Sequence, residues 1–129
     1  MFDLTDKNAL VTGASGGIGG AIARALHAAG ARVGLSGTRA GALDALAGEL
    51  GDGAFAVPAE LSSANGAKTL VKDAEAALGG IDILVNNAGL TRDQLAVRMS
   101  DEDWQMVLDV NLTAAFRLSR GCLRGMMKK

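Results

Sequence analysis

The sequence predicts an α/β fold in which a parallel sheet is covered by helices on both faces. Three observations carry this. Short apolar runs alternate with longer segments whose apolar residues recur every three to four positions. The runs are apolar throughout, as strands buried on both faces require. The first run enters the first helix through Thr12-Gly13-Ala14-Ser15-Gly16-Gly17-Ile18-Gly19. A glycine-rich turn of this kind seats an anion on main-chain N–H groups at a helix N-terminus.

Taken in order, Lys7–Val11 reads as the first strand and Gly17–Ala29 as the first helix, which stops at Gly30. Its apolar stripe is Ile18, Ile22 and Leu26, with Ala21, Ala25 and Ala29 beside it. Arg32–Ser36 reads as the second strand. Ala40–Leu50 is a helix with Leu43, Leu46, Ala47 and Leu50 on one face, ended by Gly51. Ala54–Val57 is a third strand before Pro58. Ser63–Leu78 is a helix capped by Ser62 or Ser63, and Gly79-Gly80 stop it. Its stripe is Ala67, Leu70, Val71, Ala74 and Leu78. Ile81–Val85 is the fourth strand. From Ser100 the pattern is helical to about Met127, with Ser100 as cap and Asp101, Glu102 and Asp103 favourable for the dipole in the first turn. Parallel strands joined through helices imply right-handed crossovers.

The 129 residues suffice for one domain, 1–129, with a real core. A content of 49% hydrophobic and 21% charged residues is ordinary for such a domain. The net charge of −1 gives no reason to expect nucleic acid or an anionic membrane as partner. The single cysteine, Cys122, permits no intrachain disulfide and points to a reducing, cytoplasmic setting. No apolar run is long enough for a membrane span, and the N-terminus has no basic segment of a signal peptide. No metal site is expected.

The glycines of the first turn follow G-x-x-x-G-x-G. Gly13 allows the sharp turn, Gly17 a close approach of backbone to phosphate, and Gly19 tight packing of helix on strands. Taken alone, they also read as a plain glycine-rich turn. The second strand ends at Ser36-Gly37-Thr38-Arg39, where the adenosine ribose arrives in a dinucleotide-binding βαβ unit. No acid stands between Leu35 and Ala40 to accept from the ribose hydroxyls. Arg39 can pair with a 2′-phosphate instead, which favours NADP(H) over NAD; an exposed arginine in a turn is the simpler alternative. The fourth strand ends in Asn86-Asn87-Ala88-Gly89, which can line a pocket or merely turn the chain.

Three motifs in order resemble the short-chain dehydrogenase/reductase family: T-G-x-x-x-G-x-G at Thr12–Gly19, N-N-A-G at Asn86–Gly89, and Asn111 within Asp109-Val110-Asn111-Leu112. Leu90–Met99, Asp103-Trp104 and Gly125–Lys129 resemble the 3-oxoacyl-[acyl-carrier-protein] reductase branch of that family, which serves bacterial fatty-acid synthesis. The resemblance covers the whole chain. It implies a Rossmann-type three-layer α-β-α arrangement with strand order 3-2-1-4 in the part present. It further implies NADPH-dependent reduction of a 3-oxoacyl group linked to acyl carrier protein, with an acetoacetyl-CoA reductase or a non-catalytic dinucleotide-binding unit as alternatives. Gly13, Ser15, Gly16 and Ile18 would lie around the pyrophosphate and nicotinamide side. Thr38, with Arg39, would meet the 2′-phosphate; Glu60 and Leu61 the adenine; Asn87, Ala88 and Gly89 the adenosine ribose. Asn111 would hold a helix bend and a relay water.

Gly16 stands where NADP-dependent relatives often have a basic residue, and Glu60 where Asp or Asn is usual. The family's catalytic Ser and Tyr-x-x-x-Lys fall beyond Lys129, and the sequence has no tyrosine. These 129 residues alone are therefore expected to show no turnover. The family forms homotetramers. Self-association is expected through the Ser100–Met127 helix, whose Trp104, Val107, Leu108, Phe116, Leu118, Leu123 and Met126 exceed one stripe, or through the strand edge at Ile81–Val85. His27 reads as a surface residue, Cys122 as a small buried hydrophobe, and Lys128-Lys129 as a solvated helix end.

Overall fold

A computed structural model describes residues 3–61, 63–87, 100–102, 105 and 112–128. Four strands, β1 (Asn8–Val11), β2 (Arg32–Leu35), β3 (Ala54–Ala56) and β4 (Ile83–Val85), form one parallel sheet in the order β3-β2-β1-β4. Ala9 stands opposite Val33 on one side and Ile83 on the other. The helices are α1 (Gly17–Ala28), α2 (Ala40–Leu50), α3 (Ala64–Leu78) and α4 (Ala114–Met127).

Adjacent residues of β1 serve different faces, which produces two cores. Val11 packs with Ala23, Val33, Leu35, Leu43 and Leu46 on the α1–α2 side. Leu10 packs with Leu61, Leu70, Ala74, Leu118 and Cys122 on the α3–α4 side. The sheet is thus the middle of three layers, as its uniformly apolar strands require.

Element limits follow the sequence closely, and the differences have local causes. β4 begins at Ile83 rather than Ile81, although Ile81 is itself buried. Before the ladder starts, Asn8 N–H donates to the Asp82 carboxylate (2.9 Å) and Asp82 N–H to the Asn8 carbonyl (2.8 Å). Ser63 caps α3: its hydroxyl accepts from Gly66 N–H at 3.0 Å, while Ser62 lies outside the described residues. Asp101, Glu102 and Gln105 are helical, and a π-type turn at Leu112-Thr113 leads into α4. Asp103, Trp104, Val107, Leu108 and Asn111 lie outside the described residues.

The stripe expected on α1 needs correction. Gly19, Gly20 and Ala23 face the sheet, Ile22 and Leu26 flank them, Ala21 and Ala25 are exposed, and Ile18 is 73% exposed. The strands already fill the space between the layers, so only small residues fit along the line of closest approach.

At the end of the sheet where the strands begin, the Leu78 carbonyl closes α3 by accepting from Asn8 Nδ2 (3.0 Å) and Arg32 Nη1 (2.8 Å). The same guanidinium reaches the Ala77 carbonyl (3.3 Å) and lies 5.1 Å from the centre of the Phe55 ring. Among the described residues, no helix is long and apolar enough to cross a membrane.

Candidate functional site

Where the strands end, three chain segments converge: Thr12–Gly16 after β1, Ser36–Arg39 after β2, and Asn86-Asn87 after β4. Gly13 takes φ +66°, a left-handed conformation that glycine adopts without strain. The turn is pinned by Ala14 N–H to the Ser36 carbonyl (2.9 Å) and Gly16 N–H to the Gly13 carbonyl (3.2 Å). α1 then starts with no side-chain cap and no acid in its first turn. Its leading amides and positive dipole end are left for an anion.

The glycines divide the work as their spacing suggests. A Cβ on Gly17 would meet nothing within 4 Å, so the backbone there faces open space. A Cβ on Gly19 would lie 2.6 Å from Asn87 Nδ2 and 2.7 Å from the Gly13 carbonyl carbon. Gly19 therefore lets the helix close on the turn and on the tip of β4, rather than on the strands in general. The exposed Ile18 side chain stands beside this opening.

Thr12, the first residue of the T-G-x-x-x-G-x-G motif, ties the turn to β4. Its hydroxyl donates to the Val85 carbonyl (3.2 Å) and accepts from Asn87 N–H (3.0 Å). Asn87 Nδ2 donates to the Gly13 carbonyl at 3.3 Å. The signal was available: a hydroxyl at a strand end has no aliphatic partner to seek and must find hydrogen bonds. Asn86 Nδ2 reaches the Ser119 hydroxyl on α4 (3.2 Å), so the two amides hold two different elements.

At the tip of β2, Thr38 and Arg39 are exposed. Arg39 Nη2 donates to the Ser15 carbonyl at 2.8 Å, which lays the guanidinium across the glycine turn. Gly37 lets these segments meet, since a Cβ there would stand 3.0 Å from Ser15 Oγ. Ser36 is fully buried beneath them, its Oγ without a hydrogen-bond partner. Glu60 is exposed, whereas Leu61 is only 6% exposed and packs into the α3–α4 core. Any contact of Leu61 with a ligand would therefore be made by its main chain. Ala88, Gly89 and Asn111 lie outside the described residues.

Residues 7–129 match the family model described as short chain dehydrogenase. The chain belongs to the short-chain dehydrogenase family. Short-chain dehydrogenases are oxidoreductases that bind a nicotinamide dinucleotide. An uncapped helix start, open space over Gly17 and a guanidinium across the turn fit the phosphates of such a ligand. The chain is 61% identical over 129 residues to "Nodulation protein G" of Rhizobium sp. (strain N33), covering all of this chain and 53% of that one. It is 46% identical over 127 residues to "3-oxoacyl-[acyl-carrier-protein] reductase FabG" of Rickettsia bellii, covering 98% of this chain and 51% of that one. It therefore spans about half the length of the curated relatives it matches. Among solved short-chain dehydrogenase structures, one from Brucella melitensis superposes with a TM-score of 0.90 at 37% identity, over 96% of this chain and 54% of that one. L-sorbose reductase from Gluconobacter frateurii, solved with NADPH and L-sorbose, gives 0.91 at 32% identity, over 98% of this chain and 49% of that one.

Proposed function

We propose that the protein binds NADP(H) and serves the NADPH-dependent reduction of a 3-oxoacyl thioester carried by acyl carrier protein. The observation that carries the nucleotide choice is Arg39, held over the glycine turn by the Ser15 carbonyl, with no carboxylate from Leu35 to Ala40. A guanidinium there pairs with a 2′-phosphate, whereas NAD selection needs an acid. Similarity to relatives named 3-oxoacyl-[acyl-carrier-protein] reductase, at 42–46% identity, supports the substrate class. When bound, the nicotinamide supplies hydride to the β-ketone carbon, and the carbonyl oxygen takes a proton.

In this reading, Asn111 is the one relay residue these 129 residues contribute. The sequence has no tyrosine to donate the proton, so the 129 residues bind nucleotide without turnover. Calorimetric titration tests the first half: NADP⁺ binds more tightly than NAD⁺, and Arg39→Ala weakens NADP⁺ about tenfold while leaving NAD⁺ unchanged. Equal loss for both nucleotides would refute the 2′-phosphate assignment. NADPH oxidation with acetoacetyl thioesters tests the second half, and these residues alone should give none.

A second reading concerns the acyl group. Relatives named Nodulation protein G are 61% and 57% identical, above any of those named 3-oxoacyl-[acyl-carrier-protein] reductase here. In this reading the acyl group served differs from that of fatty-acid synthesis. A panel of acyl groups on carrier protein and on CoA, offered to a catalytically complete relative carrying these 129 residues, separates the two. We further propose a cytoplasmic protein that self-associates through the exposed face of α4 or the edge of β4.

A further inference from the structure

We propose that the groove between α3 and α4 is a second anion site, for a small molecule bearing two or more phosphate or carboxylate groups. Along α4, Arg117, Arg120, Arg124 and Lys128 follow one another at spacings of three, four and four, so they share a face. No acidic residue lies between Ala114 and Lys128. On α3, Lys68 and Lys72 are four apart and look onto the same groove, together with Arg117, Arg120 and Arg124. Like charges at these spacings repel and cost helix stability. Nevertheless, among the described residues the side chains of Lys68, Lys72, Arg117 and Arg124 make no hydrogen bond or ion pair. Arg120 is held over the Phe116 ring, 5.0 Å from its centre.

A single carboxylate, Glu75, lines the groove, and it lies beside Gly125 towards the C-terminal end of α4. The other end is purely cationic and holds Ala64, where the first turn of α3 adds its positive dipole end. Gly121 brings the two helices together at mid-groove, where a Cβ would stand 3.1 Å from Val71 Cγ2. The result is a half-open hollow of about 530 Å³, the size of a small-molecule site. Arg117 to Arg124 spans about 10 Å along the axis, which one ligand with two anionic groups can bridge. The concave shape and the overall charge of −1 disfavour a nucleic acid or a membrane surface. None of these residues belongs to the dinucleotide turn, so the inference does not rest on the proposed reaction.

The test is calorimetric titration of the protein with inorganic tripolyphosphate and, separately, citrate, at low ionic strength. The double variant Lys68→Gln, Lys72→Gln should bind the preferred anion about tenfold more weakly, and Arg120→Gln with Arg124→Gln should do the same from the facing helix. Arg39→Ala, at the dinucleotide turn, should leave that binding in place. Circular-dichroism melts should show all three variants folded. Tighter tripolyphosphate assigns phosphate chemistry, and tighter citrate assigns carboxylate chemistry. The proposal is overturned if neither groove variant weakens binding or if Arg39→Ala alone abolishes it. An acidic helical peptide that binds the groove where neither small anion does would equally overturn it.

Discussion

Gly17 and Gly19 are two residues apart and answer opposite demands. Gly19→Ala drives a methyl group against Asn87 Nδ2 and the Gly13 carbonyl, so the turn or α1 must shift. We expect a loss of about 2 kcal/mol in urea unfolding, with nucleotide binding weakened as well. Gly17→Ala meets open space, so stability should stay within about 0.5 kcal/mol while nucleotide binding falls, because the methyl group takes the anion's place. Thr12→Val removes the acceptor for Asn87 N–H at a residue that is 1% exposed, and should cost about 1–3 kcal/mol. Burial, with a smaller push from the Glu75 carboxylate, lifts the Cys122 thiol from 9.0 to about 11. The unfolded chain then loses this proton first, so native stability falls as pH rises from 9.0 towards about 11. Wild type should lose more stability across that window than Cys122→Ala, compared by urea midpoints. The glycine spacing was legible in the sequence because main-chain geometry restricts residue choice there. The exposure of Ile18 was not: helical period marks an apolar side chain but cannot say which face of the helix is covered.

Among the elements, α2 has the limits its sequence suggests, because Leu43 and Leu46 fix its buried face and Gly51 ends it at φ +81°. α4 was harder to read. Ala114, Leu118 and Cys122 form its buried line, whereas Leu112, Phe116, Leu123 and Met127 are exposed. A helix apolar on more than one side gives an ambiguous period, and the cationic stripe between those sides went unnoticed. Leu118, 1% exposed in the core beneath α3 and α4, is the sharpest test of this packing. Leu118→Ala should lower unfolding stability by about 2–5 kcal/mol, whereas Leu123→Ala, half exposed, should change it by under about 1 kcal/mol.

At the scale of the whole molecule, the parallel sheet and its strand order were foreseeable from the alternation of elements and the family likeness. The way the layers are tied together was not, because those ties join residues far apart in sequence. A nucleotide at 100 times its Kd should stabilise the native state by about 2.7 kcal/mol, read as a rise in Tm, and at equal concentrations NADP⁺ should raise Tm more than NAD⁺. The tie at the Leu78 carbonyl has a further effect. One peptide oxygen accepts hydrogen bonds from the side chains of the first residues of two neighbouring strands, so the molecule is bound like a book along one spine. Opening is then easier at the opposite margin, where Arg39 crosses the glycine turn through an exposed hydrogen bond. Deuterium uptake should therefore be graded, slow at Leu78 and Asn8 and fast at Ser15 and Gly16, and the visitor enters where the binding is loosest.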